Sequence, residues 1–194
     1  MKAASAALLF LVSLFGTGGP PPQSRSANAP AYDADGNLIT PIHYREWIYL
    51  SSGLDMSYSM RAKAPNHSMF DNVFVNPEAY KVFVETGQWP DKTMFVLETR
   101  MAESAGSINK AGHFQGTDIM GAEVHLKDDS RGGWAFYDLD GARGTLIPKT
   151  ADCYSCHEQH AAVDTTFVQF YPTLIGMAKA KGTLSPAYLN ESAK

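Results

Sequence analysis

The chain has two cysteines, Cys153 and Cys156, and a histidine follows them directly, giving Cys153-Tyr154-Ser155-Cys156-His157. No other feature constrains the fold as strongly. C-x-x-C-H is the signature of c-type haem attachment. Two thiols three positions apart at the start of a helix can reach the two vinyl groups of one porphyrin edge, and the adjacent imidazole then points over the ring to the iron. A histidine in that role normally donates its other ring nitrogen to a carbonyl or a carboxylate, which fixes its tautomer and tunes the iron. The sequence does not say which group accepts here. Such a site also needs an apolar pocket.

Three plainer readings compete for these residues. A disulfide would close so short a loop that it gains little, and it leaves His157 unexplained. A thioredoxin-like redox pair belongs early in a βαβ unit, whereas this motif follows a β-rich body near the C-terminus. Zinc bound by Cys153, Cys156, His157 and His160 has the right donor types, but structural zinc sites separate their ligand pairs by a dozen or so residues. A single covalently attached haem c, with His157 as axial ligand of the iron, is the expectation.

Covalent haem attachment takes place outside the cytoplasm, and the N-terminus agrees with that. Lys2 precedes a mostly apolar stretch from Ala3 to Phe15, followed by Gly16 and Gly18 to Pro22. This reads as an export signal, too short to span a bilayer, which takes roughly 20 apolar residues. Ala27-Asn28-Ala29 supplies an A-x-A cleavage pattern, although Pro30 is awkward after it. The expected organisation is a signal peptide and linker over residues 1–29 and one domain over residues 30–194, periplasmic, with no membrane span once the signal is removed. The linker over residues 16–32 is expected to be disordered, with folding from about Tyr32. Asn66-His67-Ser68 matches a glycosylation sequon that has no meaning in a bacterial periplasm. Hydrophobic residues make up 44% and charged residues 19% of the 194 residues, so the chain can bury a core. Its net charge is −4 and it has no run of Lys or Arg, which excludes the electrostatic footprint of a nucleic-acid binder.

Periodicity predicts an α+β fold, a mainly antiparallel β-sheet with packed helices and a haem-bearing C-terminal helical segment. The five expected strands are Tyr44 to Leu50, Met69 to Val75, Thr93 to Met101, Asp118 to Leu126 and Trp134 to Leu139. Along the third, Met94, Val96 and Glu98 share one face and Phe95, Leu97 and Thr99 the other. Asn76 and Pro77 make an N-cap and first-turn pair for a helix running to Gly87, burying Tyr80, Val82 and Phe83 or a subset of them. After Thr150 the apolar spacing becomes helical, with a break at Pro172 and a helix end at Lys179, Lys181 and Gly182.

Several segments resemble the cytochrome P460 family, which includes the related cytochromes c′-beta: Tyr44-Arg45-Glu46-Trp47, Val75-Asn76-Pro77-Glu78-Ala79-Tyr80, Glu85-Thr86-Gly87, Trp134-Ala135-Phe136-Tyr137, and the C-x-x-C-H motif with Asp164, Phe167, Phe170, Tyr171 and Pro172 beyond it. The resemblance runs from Asp33 to Ala178. It implies one c-type haem on a β-rich fold, an often open distal side, and frequent homodimers. Some members oxidise hydroxylamine, and others bind nitric oxide without known turnover. The oxidising members carry a lysine bonded to the porphyrin, in the strand that matches Thr93 to Met101, and the matching position here is Leu97. Leucine has no amine, so the cross-link and the hydroxylamine oxidase activity are in question. Lys92, the nearest lysine, should face the other way.

Three functions follow. The first is a five-coordinate haem protein that binds nitric oxide or a similar small nitrogen species, which Leu97 favours. The second is an enzyme of the hydroxylamine oxidoreductase type, or a peroxidase, needing a distal acid or base. Glu98 and Arg100 are its candidates, against the plainer expectation of a solvated strand face. The third is a six-coordinate electron carrier with Met94, Met101 or Met120 as second ligand. A redox-partner cytochrome fits the second and third.

Overall fold

The computed structural model describes residues 27–57 and 68–192. The apolar signal stretch and the Asn66 and His67 positions of the sequon lie outside the described residues. Seven strands form one antiparallel sheet: β1 (Leu38–Ile39), β2 (Ile48–Leu54), β3 (Met69–Val75), β4 (Met94–Glu103), β5 (Phe114–Asp128), β6 (Gly133–Asp140) and β7 (Arg143–Leu146), in the spatial order β1-β7-β6-β5-β4-β3-β2. With the helices α1 (Pro77–Thr86), α2 (Asp152–His160), α3 (Ile175–Lys181) and α4 (Pro186–Ser192), the class is α+β.

Alternation along the central strands divides the sheet into two apolar faces, as period-two geometry requires. On one face Met94, Val96, Val124, Leu126 and Tyr137 pack with Leu38, Tyr44 and Trp47. On the other Val75 and Phe95 pack with Ala79 and Phe83 of α1, with Trp89, and with Val168, Tyr171 and Leu174 of the C-terminal segment. Both faces of this sheet are therefore covered around β3 to β6, and the second covering layer carries the C-x-x-C-H motif.

The boundaries differ from expectation in several places. Tyr44–Glu46 is a 3-10 turn and the strand begins only at Ile48, because the Tyr44 ring and the Trp47 indole turn under the sheet into the first core. Five strands become seven: β1 has two residues and β7 has four, both held by edge pairing, Leu38 against Gly144 and Tyr137 against Leu146. Asn76 stands before α1, but its side chain serves the sheet. Its Oδ1 accepts the Met94 N–H at 2.8 Å, and no side-chain bond caps the helix. Of the residues expected inside from α1, Phe83 is fully buried, Tyr80 and Val82 are half-buried, and Ala79 completes the contact. Gly87 ends the helix at φ 76°, a conformation a side chain would resist.

The chain is already packed from residue 27, earlier than the expected start at Tyr32 and in place of a disordered linker there. Pro30 is buried, the Trp47 Nε1–H donates to Asn28 Oδ1 at 2.8 Å, and Asn28 Nδ2 donates to Glu78 at 3.0 Å. At the other end the helical expectation holds in pieces. Val168–Phe170 is a 3-10 turn, Pro172 interrupts, and α3 closes on Gly182 after Lys179 and Lys181. Among the described residues no helix is long and apolar enough to cross a membrane.

Candidate functional site

The face of the sheet that carries Phe95 is graded in polarity by three cross-strand rows. The first runs Val75, Phe95, His125 and Phe136 across β3, β4, β5 and β6. The second runs Ser51, Val73, Leu97, Glu123 and Asp138 across β2 to β6. The third runs Gly53, Asp71, Thr99 and Gly121. Phe95, His125, Phe136, Val73, Leu97, Glu123, Asp71, Ser51 and Gly53 line a cavity of about 250 Å³, which His157, Thr166, Phe167, Phe170 and Tyr171 close from the C-terminal layer. A single water needs roughly 10–15 Å³, so this space is on the scale of a ligand. The lining is mostly apolar.

His157 lies on α2 and is held from three sides. Its ring sits edge-on to Phe136 at 4.7 Å and to His125 at 5.0 Å, and against Phe167 at 4.1 Å. Its Nδ1 lies 2.7 Å from the carbonyl oxygen of Thr165, which can only accept. Nδ1 therefore carries the proton, and Nε2 keeps a free lone pair. Burial pushes the imidazole below its ordinary pKa, against the Thr165 hydrogen bond, which raises it. The neutral form is the one that can ligate a metal. On the same helix Cys153 lies one turn before His157 and Cys156 directly precedes it, both as free thiols, and burial raises both above the ordinary thiol value. His160, on the last turn of α2, pairs instead with Glu191 of α4 at 3.1 Å.

Sequence reasoning missed His125 and Glu123. His125 is buried, stacked on Phe136 at 4.0 Å, and its pKa is driven well below the ordinary value by burial, with smaller contributions from His157 and Lys149. Glu123 stands in the cavity wall. Desolvation raises its carboxyl pKa, and the neighbouring carboxylates of Asp138, its direct cross-strand partner, and Asp71 raise it further. The alternation of the strand expected over Asp118 to Leu126 put both on one face, but only the pairing register brings that face beside Leu97.

The named candidates separate. Leu97 lines the cavity. Glu98 and Arg100 do not: Glu98 points into the opposite layer, 2% exposed, where Tyr44, Arg45 and Arg100 all donate to its carboxylate. It is neither a solvated strand residue nor a neighbour of the cavity. Arg100 also donates to the Thr117 carbonyl at 2.8 Å. Lys92 is paired with Asp128 and does not line the cavity, whose lining contains no lysine among the described residues. Met94 is buried in the opposite core, and neither Met101 nor Met120 lines the cavity, whereas Met56 does.

The cytochrome P460 family model matches residues 41–168, from the turn before β2 through α2 and Phe167 of the cavity. The chain belongs to the cytochrome P460 family. No curated protein sequence matches it. A cytochrome P460 is a haem protein, and the residues of this family member fit the cofactor. The donor set is a neutral imidazole with Nε2 free, placed on an apolar cavity, with two free thiols on the same helix. In this cytochrome Leu97 occupies the centre of the middle row, flanked by Val73 and Glu123.

Proposed function

We propose that this cytochrome P460 is exported with loss of residues 1–29, matures residues 30–194 as a periplasmic mono-haem c-type domain, and binds nitric oxide or a similar small nitrogen species. In this reading Cys153 and Cys156 would hold one haem covalently and His157 would bind its iron. Bound there, the haem would supply the iron that takes up a small ligand. The chain's own residues do the rest. Thr165 fixes the His157 tautomer, Phe95, Phe136 and Phe167 exclude water from the cavity, and Leu97 presents hydrocarbon where a lysine would be needed for a porphyrin cross-link. The observation that carries the proposal is the Nε2 lone pair of His157 directed by the Thr165 bond while the cavity wall offers no lysine among the described residues. We also expect the family's homodimer, and exchange of electrons with a partner cytochrome.

Absorption spectra of the matured protein, oxidised and reduced, before and after nitric oxide, test this. The expected result is an ordinary c-type reduced spectrum, high-spin and responsive to nitric oxide. A strongly red-shifted reduced Soret band would mean a modified porphyrin and would overturn the unmodified haem. A low-spin spectrum inert to nitric oxide would mean a second protein ligand and the electron-carrier function. One observation favours a second reading, an enzyme acting on hydroxylamine. Glu123, its carboxyl pKa raised by burial and by the carboxylates of Asp138 and Asp71, stands on the cavity wall as a group that could take up a proton from a bound ligand. Steady-state oxidation of hydroxylamine by an added electron acceptor, abolished in Glu123→Gln, would establish it.

A further inference from the structure

The carbonyl that receives the His157 proton belongs to a tight turn, Val163 to Thr166, closed by Thr166 N–H to Val163 O at 2.9 Å and by the Thr166 hydroxyl to the same oxygen at 2.8 Å. Asp164 inside it has φ 51°, a conformation that aspartate tolerates better than most residues but that still needs support from its surroundings. The support comes from the sheet side. The Trp89 Nε1–H donates to the Thr166 hydroxyl at 2.8 Å, and Lys127 of β5 reaches Asp164 at 3.4 Å. His125, two residues before Lys127 on the same face of β5, places its Nε2 3.2 Å from the hydroxyl of Thr165 itself. The His125 ring cannot swing away, since Phe136 stacks on it at 4.0 Å and Trp134 packs at 4.4 Å.

We propose that His125 is the positioning residue for His157, acting through Thr165: it fixes the hydroxyl of the residue whose carbonyl accepts the His157 Nδ1–H, and so sets how strongly His157 binds iron. The inference rests on the haem reading above. A short, well-aligned N–H···O=C bond shifts electron density onto the ring and makes Nε2 a stronger donor. Once the Thr165 hydroxyl is released, its residue can rotate within the turn, the 2.7 Å bond to His157 lengthens, and the imidazole becomes a weaker ligand. The sheet thus tunes the metal from a strand that supplies no ligand of its own.

The test uses the matured, haem-loaded protein and reads the iron–histidine stretching frequency of the reduced form by resonance Raman, together with the midpoint potential. His125→Phe removes the ring nitrogen but keeps an aromatic stack, and Thr165→Val removes only the hydroxyl and keeps the carbonyl. Both are expected to shift the stretch to lower frequency and the potential upward, while His125→Gln, which can still bond the hydroxyl, stays close to the parent. Tyr44→Phe, on the opposite face of the sheet, should lower the melting temperature and leave both readouts unmoved. An unchanged stretch and potential in folded Thr165→Val would overturn the proposal, even if His125→Phe failed to fold. A parent protein with no iron–histidine mode would instead overturn the five-coordinate haem on which the proposal rests.

Discussion

At position 98 a carboxylate is buried on the face of β4 turned away from the cavity, and three donors meet it there. Burial alone would raise the Glu98 pKa, but the hydrogen bonds from Arg100, Tyr44 and Arg45 outweigh it and hold the carboxyl below the ordinary value of 4.5. The stabilisation is therefore present above that value and fades as the pH falls through the lowered one. Glu98→Gln keeps the shape and removes the charge that Arg100 faces. It is expected to cost about 2–3 kcal/mol in urea unfolding and to leave the response to nitric oxide unaltered, whereas an altered ligand response would place Glu98 in the functional site after all. The sequence already held the clue: strict alternation puts Glu98 and Leu97 on opposite faces, so a cavity at Leu97 excludes Glu98. His157 was legible because three adjacent residue types carry it. Thr165 was not, since any residue can offer a carbonyl, and only the folded turn aims this one.

Elements were most legible where one run of residues decides them. β3, β4 and α1 match their patterns because the alternation or the Asn76-Pro77 start lies within the run. β1 and β7 were illegible because two and four residues hold no periodicity, and partners distant in sequence make them strands. At the end of β5 Asp128 binds Lys92, Ser130 and Tyr32, tying the segment after α1 and the N-terminal turn to the sheet. Burial opposes ionisation of Asp128, yet the bonds from Lys92, Ser130 and Tyr32 bring its pKa from 3.8 down to about 2. With the folded pKa depressed, its contribution is complete above 3.8 and is lost as the pH falls through about 2. Because Lys92 is partly exposed, the effect is on the order of 1–2 kcal/mol. Asp128→Asn should lower the melting temperature at neutral pH and narrow the gap to the parent as the medium is acidified from pH 4, and a gap that stays constant would contradict the ion pair. Phe83 anchors α1 with no exposed surface and stacks on Trp89 at 4.0 Å. Phe83→Ala is expected to cost about 3–5 kcal/mol, measured by the shift of the denaturant midpoint. A cost below 1 kcal/mol would mean that α1 is not seated on the sheet as described.

For the whole molecule, one twisted sheet separates two jobs. Its first face is sealed by Leu38, Tyr44 and Trp47 into a core that stabilises, and its second is left partly open between the strands and α2 as a cavity. The α+β class, the helical C-terminal layer and the family were legible from pattern and motif. The graded rows of the cavity face were not, because they depend on strand register, which no local run of residues specifies. Cys153, Cys156 and His157 lie together on α2, the helix from which His157 closes the cavity. The most direct test of that claim is the intact mass of the matured protein under denaturing conditions, beside the Cys153→Ser and Cys156→Ser double variant. The account predicts a parent mass equal to the processed chain plus one haem, and a double variant that carries none. A parent chain that sheds its haem on denaturation, or a double variant that retains it, would contradict attachment through this motif.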